Sequence, residues 1–196
     1  EGNTRVARVR CANGVYFPAD LVIIGVGVVP NVELAQAAGI AVDNGITVDE
    51  FARTNDPHIV AAGDCANHFN AIYQRRIRLE SVPNAGDQAK AAAASLCGLK
   101  KAYQSLPWFW SDQYDLKLQI AGLSQGYDQV VMRGDPDNGR SFAAFYLKNG
   151  QLIAADCINR PQEFLLAKRI IADKVAVNAH CLADETLAVK ALLQLA

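Results

Sequence analysis

Between residues 116 and 159 four apolar runs follow one another, "LKLQIAGL", "DQVVMRG", "SFAAFYLKNG" and "QLIAADCIN", separated by clusters of Gly, Asp, Asn and Pro. Short runs bounded by such turn residues predict consecutive strands of an antiparallel meander. Two amphipathic helices are expected after them. The first starts near Pro161 and runs through "QEFLLAKRIIADK"; the second is "DETLAVKALLQL", with Asp184 as its N-cap. Strands followed by segregated helices make an α+β domain.

The first half is patterned differently. Residues 5–10, turned at Asn13-Gly14 into residues 15–17, predict a hairpin, and a two-stranded hairpin is marginal alone. With Glu1 rather than Met in front of it, the chain reads as a piece of something longer. Residues 21–24 form a short all-apolar strand ending in "GVGVVPN", and "VELAQAAG" is a helix stopped at Gly39. Gly25 and Gly27 begin a dinucleotide fingerprint, but Pro30 stands where its third glycine belongs. Residues 46–48 and 58–61 are two more strand candidates, with "TNDPH" as the turn chemistry between them. "ESVPNAGDQAKAAAASLCG" predicts one helix, with Pro83 in its first turn and Gly98 at its end. Composition shifts through "LKKAYQSLP" at residues 99–107, and a boundary there separates domains of residues 1–105 and 106–196.

Totals exclude several classes. With 51% hydrophobic residues in 196, the chain can bury a substantial core. Nineteen basic against 20 acidic residues leave a net charge of −1, without the basic footprint of a nucleic-acid binder. No apolar stretch is long enough to span a bilayer and no signal-peptide pattern opens the chain, which predicts a cytoplasmic protein. Five cysteines with no C-x-x-C fit free thiols that fill a core in a reducing compartment.

In "VAAGDCANHFN", residues 60–70, Asp64 follows an apolar run and a glycine. Cys65 and His68 have the spacing of half a zinc site, but the other two ligands are missing and no metal is expected. Cys65 lacks the base and electropositive setting of a nucleophile. Two readings of Asp64 stay open: a carboxylate at a strand end accepting from a ligand's hydroxyls, or a cap for the next segment of chain. Trp108 and Trp110 share one face if extended, which suits a core as well as a cofactor wall.

The order of "DLVIIGVGVVPN", "HIVAAGDCA", "VPNAGDQAKAAAASLCG" and "PWFWSDQYDLKLQIAGLSQGYDQVVMRGD" resembles the C-terminal half of FAD-dependent, NADH-using ferredoxin reductases of the putidaredoxin reductase and biphenyl dioxygenase reductase type. The resemblance implies α/β plus α+β architecture: incomplete FAD/NAD-binding layers followed by a C-terminal antiparallel-sheet domain with helices on one side. It implies that Asp64, in the family's Gly63-Asp64 pair, binds the ribityl hydroxyls of FAD. Val82 heads the helix whose backbone meets the flavin pyrimidine edge, and Trp110 flanks the isoalloxazine on the path to the partner. Gly25 and Gly27 stand where the NAD segment returns to the FAD domain. It further implies electron passage from NADH through FAD to a [2Fe–2S] ferredoxin that serves an oxygenase, with no acid or base among these residues. Arg75, Arg76, Arg78 and Lys90 could steer an acidic ferredoxin, or form a solvated basic face.

Both G-x-G-x-x-G fingerprints of that family would precede Glu1, so the chain alone is expected not to turn over NADH. Two rivals share the fold: a pyridine-nucleotide disulfide oxidoreductase, whose C-terminal histidine-glutamate pair is missing here, and an interaction protein resembling apoptosis-inducing factor.

Overall fold

A computed structural model describes residues 1–193. In chain order its elements are β1 (Arg8–Arg10), β2 (Tyr16–Pro18), α1 (Glu33–Ala37), β3 (Ile46–Val48), a 3-10 turn (Gly63–Cys65), β4 (Ala66–Asn70), β5 (Arg75–Arg78) and α2 (Val82–Leu96). There follow β6 (Trp108–Gln113), β7 (Leu116–Gly122), β8 (Gln129–Arg133), β9 (Phe142–Lys148), β10 (Gln151–Ile158), α3 (Pro161–Asp173), α4 (Ala179–Ala183) and a last 3-10 turn (Val189–Leu193).

All four runs of the second half are strands, and with β6 they form a five-stranded antiparallel sheet. Its order corrects the expected meander: β6-β7-β10-β9-β8. β8, β9 and β10 do run hairpin to hairpin, but β7 pairs with β10, its Ala121 opposite Ala155, so β8 lies at the far edge. Local patterning fixes which residues are extended, and pairing partners are chosen by the core they jointly cover. That core is Phe145, Leu147, Cys157, Phe164, Ile170 and Leu182 with their neighbours, contributed by the sheet, α3 and α4. A bulge between Leu152 and Ala154 pushes Ile153 out of register. Its carbonyl accepts from the Tyr73 hydroxyl at 2.9 Å, and the same hydroxyl accepts from Leu123 N–H at 2.9 Å, so one side chain ties the two halves together.

The second closing helix is corrected too. Of its residues, 184–188 are turn and coil following α4 and 189–193 form the last 3-10 turn, and Asp184 closes α4 instead of opening a helix. Residues 194 and 195 of that expected helix lie outside the described residues. The reason for the break is Arg133, 3% exposed on β8. It pairs with buried Glu163 and donates to the carbonyls of Leu182, Asp184 and Leu187, oxygens that a continuous helix would have used internally.

In the first half the hairpin forms, with Val9 opposite Phe17, and the helix at residues 33–37 ends at Gly39, where φ is +73°. Residues 21–24 are not a strand: they are coil, with Ile23 88% exposed. A strand apolar on both faces needs ladder partners, and none of the described residues pairs with it. Residues 58–61 contribute only a bridge between Val60 and Arg53. The strand expected at residues 46–48 forms as β3 and joins β4 and β5 in a three-stranded sheet, β3-β4-β5, with β3 and β4 parallel. Of the cysteines, Cys157 alone fills the core; Cys97 is exposed and the other three are half-buried. Among the described residues no helix is long and apolar enough to cross a membrane.

Candidate functional site

Gly63 sits at φ +82°, a conformation open to glycine, and it is buried under α2. A Cβ there would stand 3.4 Å from the Cβ of Ala85, so the helix packs directly on this turn. Asp64 comes next, exposed, and no hydrogen bond to its carboxylate is found among the described residues. The capping alternative therefore falls away. Its main chain is held: Arg78 Nη1 donates to the Asp64 carbonyl at 2.9 Å. A Cβ at Gly45 would lie 2.8 Å from Arg78 Cδ, so that glycine is what lets the arginine through.

α2 starts where its sequence says. Ser81 is the N-cap and accepts from Asn84 N–H through Oγ at 3.3 Å, and its carbonyl accepts from Ala85 N–H at 3.0 Å. Pro83 has no N–H to satisfy. Of the four amides that a helix start leaves over, that of Val82 finds no acceptor among the described residues, on a residue 72% exposed.

Behind the turn lies a polar network that sequence reasoning missed. Gln88, fully buried, accepts from Gly63 N–H at 2.8 Å through Oε1 and meets His68 Nδ1 at 2.9 Å through Nε2. One helical turn earlier, Asn84 donates to the Leu79 carbonyl at 3.0 Å and accepts from the Tyr103 hydroxyl at 2.8 Å. Tyr103 stands edge-on to the His68 ring, centroids 4.9 Å apart. Burial, then the Arg76 guanidinium, push His68 down to about 4, and burial pushes Tyr103 up to about 12. His68 is thus neutral, with Nδ1 as the acceptor and a buried Nε2 that finds no partner among the described residues. The half-zinc spacing resolves likewise: His68 faces Gln88, while Cys65 Sγ lies 3.7 Å from the Ala62 carbonyl. The available signal was the i, i+4 spacing of Asn84 and Gln88 on an alanine-rich helix, two amides on one face.

Trp108 and Trp110 do share a face of the edge strand β6, with ring centroids 5.5 Å apart. Trp108 packs on Phe164 and beneath Lys168 Nζ, 4.7 Å from its ring, whereas Trp110 is 47% exposed. The two line a recess of about 470 Å³ with Asp112, Lys117, Gln119 and Pro161. Gly25 and Gly27 are not brought to Asp64: they lie in exposed coil, and a Cβ on either would meet nothing within 4 Å. The arginines are not a free basic face. Arg75 bonds Gln125, Arg76 donates to the Val48 and Asn67 carbonyls, Arg78 pairs with Glu80, and Lys90 pairs with Asp87 at 2.8 Å.

Set beside known proteins, residues 1–89 match the family model of pyridine nucleotide-disulphide oxidoreductases, and residues 108–193 match the reductase C-terminal model. Putidaredoxin reductase CamA of Pseudomonas putida is 47% identical over 192 residues, 96% of this chain and 44% of that protein. Rhodocoxin reductase of Rhodococcus erythropolis is 44% identical over 180 residues, 92% of this chain and 42% of its own length. Among solved structures, the covalent putidaredoxin reductase–putidaredoxin complex superimposes with a TM-score of 0.89 at 46% identity, over 96% of this chain and 45% of that one. The chain spans a little under half the length of the relatives it matches.

Proposed function

We propose that the chain is part of a ferredoxin reductase of the putidaredoxin reductase type, which it resembles, and that it holds FAD in an enzyme carrying electrons from NADH to a [2Fe–2S] ferredoxin that serves an oxygenase. One observation carries the reading: among the described residues the Asp64 carboxylate has no partner, and it lies beside a helix start whose first N–H, at Val82, has none either. The residues fit the group. A carboxylate accepts strongly from paired hydroxyls such as a ribityl chain offers. A helix N-terminus carries about half a positive charge and favours an electron-rich carbonyl edge. FAD, when bound, supplies the redox chemistry, accepting a hydride and releasing electrons singly.

The chain's own work is binding and orientation. Gly63 lets the turn pass under α2 so that Asp64 and Val82 belong to one packed unit. Trp110, with Trp108 fixed behind it, serves as the aromatic wall on the side of the ferredoxin. Gly25 and Gly27 serve the crossing between NAD and FAD layers. Residues 1–105 form the cofactor-binding part and 106–196 the C-terminal domain, joined through the segment without helix or strand that ends at β6. The free thiols suit a reducing cytoplasm.

The test is FAD affinity in a protein carrying this chain together with the upstream half its relatives have. Each hydrogen bond to a charged group contributes about 1.5–3 kcal/mol, so Asp64→Ala should weaken FAD roughly tenfold to a hundredfold. Unchanged affinity by flavin fluorescence titration refutes the assignment.

A further inference from the structure

We infer that Gln88 is a positioning residue for the Asp64 carboxylate, acting through the Gly63 peptide. The inference rests on the FAD reading of Asp64 and goes beyond it by saying what keeps that carboxylate aimed. Around Asp64 the main chain is held on both sides, and the carboxylate has no partner among the described residues. On one side Gly63 N–H is held by Gln88 Oε1 at 2.8 Å; on the other the Asp64 carbonyl is held by Arg78 at 2.9 Å. The side chain between these anchors is left to a ligand, with its backbone fixed beforehand. Such preorganisation lets a binding group lose little freedom on contact.

The Gln88 amide is itself constrained from two directions. Its oxygen faces the Gly63 N–H, so its NH₂ must face His68, and that requires an acceptor at His68 Nδ1. Rotating the amide by half a turn would set its NH₂ against the Gly63 N–H, donor against donor. Fully buried, Gln88 has no water to fall back on, and an unpaired amide in that setting is expensive. His68 on β4 therefore sets Gln88 on α2, and Gln88 sets the turn that precedes Asp64. Because Gln88 lies two turns into the helix that Val82 begins, the same amide also joins the open helix start to the carboxylate.

A double-mutant cycle separates this role from plain structural support. FAD dissociation constants are measured by flavin fluorescence in the protein that includes the upstream half, for the unaltered sequence, Asp64→Ala, Gln88→Leu and the double variant. Thermal midpoints are measured alongside. Gln88→Leu should weaken FAD about tenfold while Asp64 is present and add nothing once Asp64 is alanine, though it lowers the thermal midpoint in both backgrounds. Gln88→Glu keeps an oxygen for Gly63 N–H and, with the His68 proton moved to Nδ1 so that it donates to the carboxylate, should restore most of the affinity. Gln88→Met, unbranched and similar in length, takes the place of leucine if that variant does not fold. Equal weakening in both backgrounds, or none in either, overturns the positioning role and leaves the FAD reading standing. Unaltered affinity in Asp64→Ala overturns the FAD reading, and the positioning role with it.

Discussion

His68 shows how much one buried ring decides. Its nitrogen must stay unprotonated to accept from Gln88, and burial together with Arg76 lowers its proton affinity from the ordinary 6.5 to about 4. The unfolded chain thus binds a proton that the folded chain refuses between those values. Stability from the neutral ring is complete above about pH 6.5 and is lost as pH falls toward 4, a difference of roughly 3 kcal/mol. Urea denaturation at pH 7 and pH 4.5 should show that loss in the unaltered chain, and His68→Gln, which cannot titrate, should lack this component; equal slopes would refute it. The cofactor roles expected of Asp64 and Val82 came from the resemblance, while the start of α2 was legible in the sequence because Pro83 in a first turn is a local signal. Gln88 and Asn84 were not, since their partners His68 and Tyr103 lie 20 and 19 residues away, and amides on an alanine-rich helix read as solvent-facing.

Among elements, β7 and β10 show that a glycine's surroundings matter as much as its dihedral. Gly122, at the end of β7, and Gly150, in the β9–β10 turn, share φ +76°. A Cβ at Gly150 would meet nothing within 4 Å, so Gly150→Ala should cost about 1–2 kcal/mol, the left-handed penalty alone. At Gly122 it would fall 2.3 Å from the Ile153 carbonyl oxygen and 2.6 Å from the Tyr73 hydroxyl. Gly122→Ala should therefore cost several kcal/mol, about 3 or more, by forcing apart the contact that joins the two halves. Denaturation midpoints of the two variants give the comparison, and equal losses would mean that Tyr73 yields freely. Turn residues placed all four strands of the second half, yet the pairing of β7 with β10 was hidden, because order in a sheet depends on contacts between distant segments. β4 and β5 were missed for another reason: "RRIR" looks like surface charge, although Ile77 is buried within it.

At the scale of the whole molecule, residues 21–29 are the least supported apolar stretch, with Ile23 and Val26 exposed by 88% and 89%. Unpaired apolar backbone of this kind is a template for association. Ile23→Lys with Val26→Lys should leave the thermal midpoint of the chain nearly unchanged, within about 0.5 kcal/mol, and reduce concentration-dependent self-association in sedimentation. A large fall in the midpoint would mean that these side chains are packed in solution. The opposite end of the chain is secured in another manner. Arg133 grips three peptide oxygens, at residues 182, 184 and 187, and peptide oxygens are the same whatever side chains they accompany. The terminal turns therefore have free spelling but fixed metre: replacing a letter leaves the clasp closed, whereas inserting one slides the oxygens out of its reach.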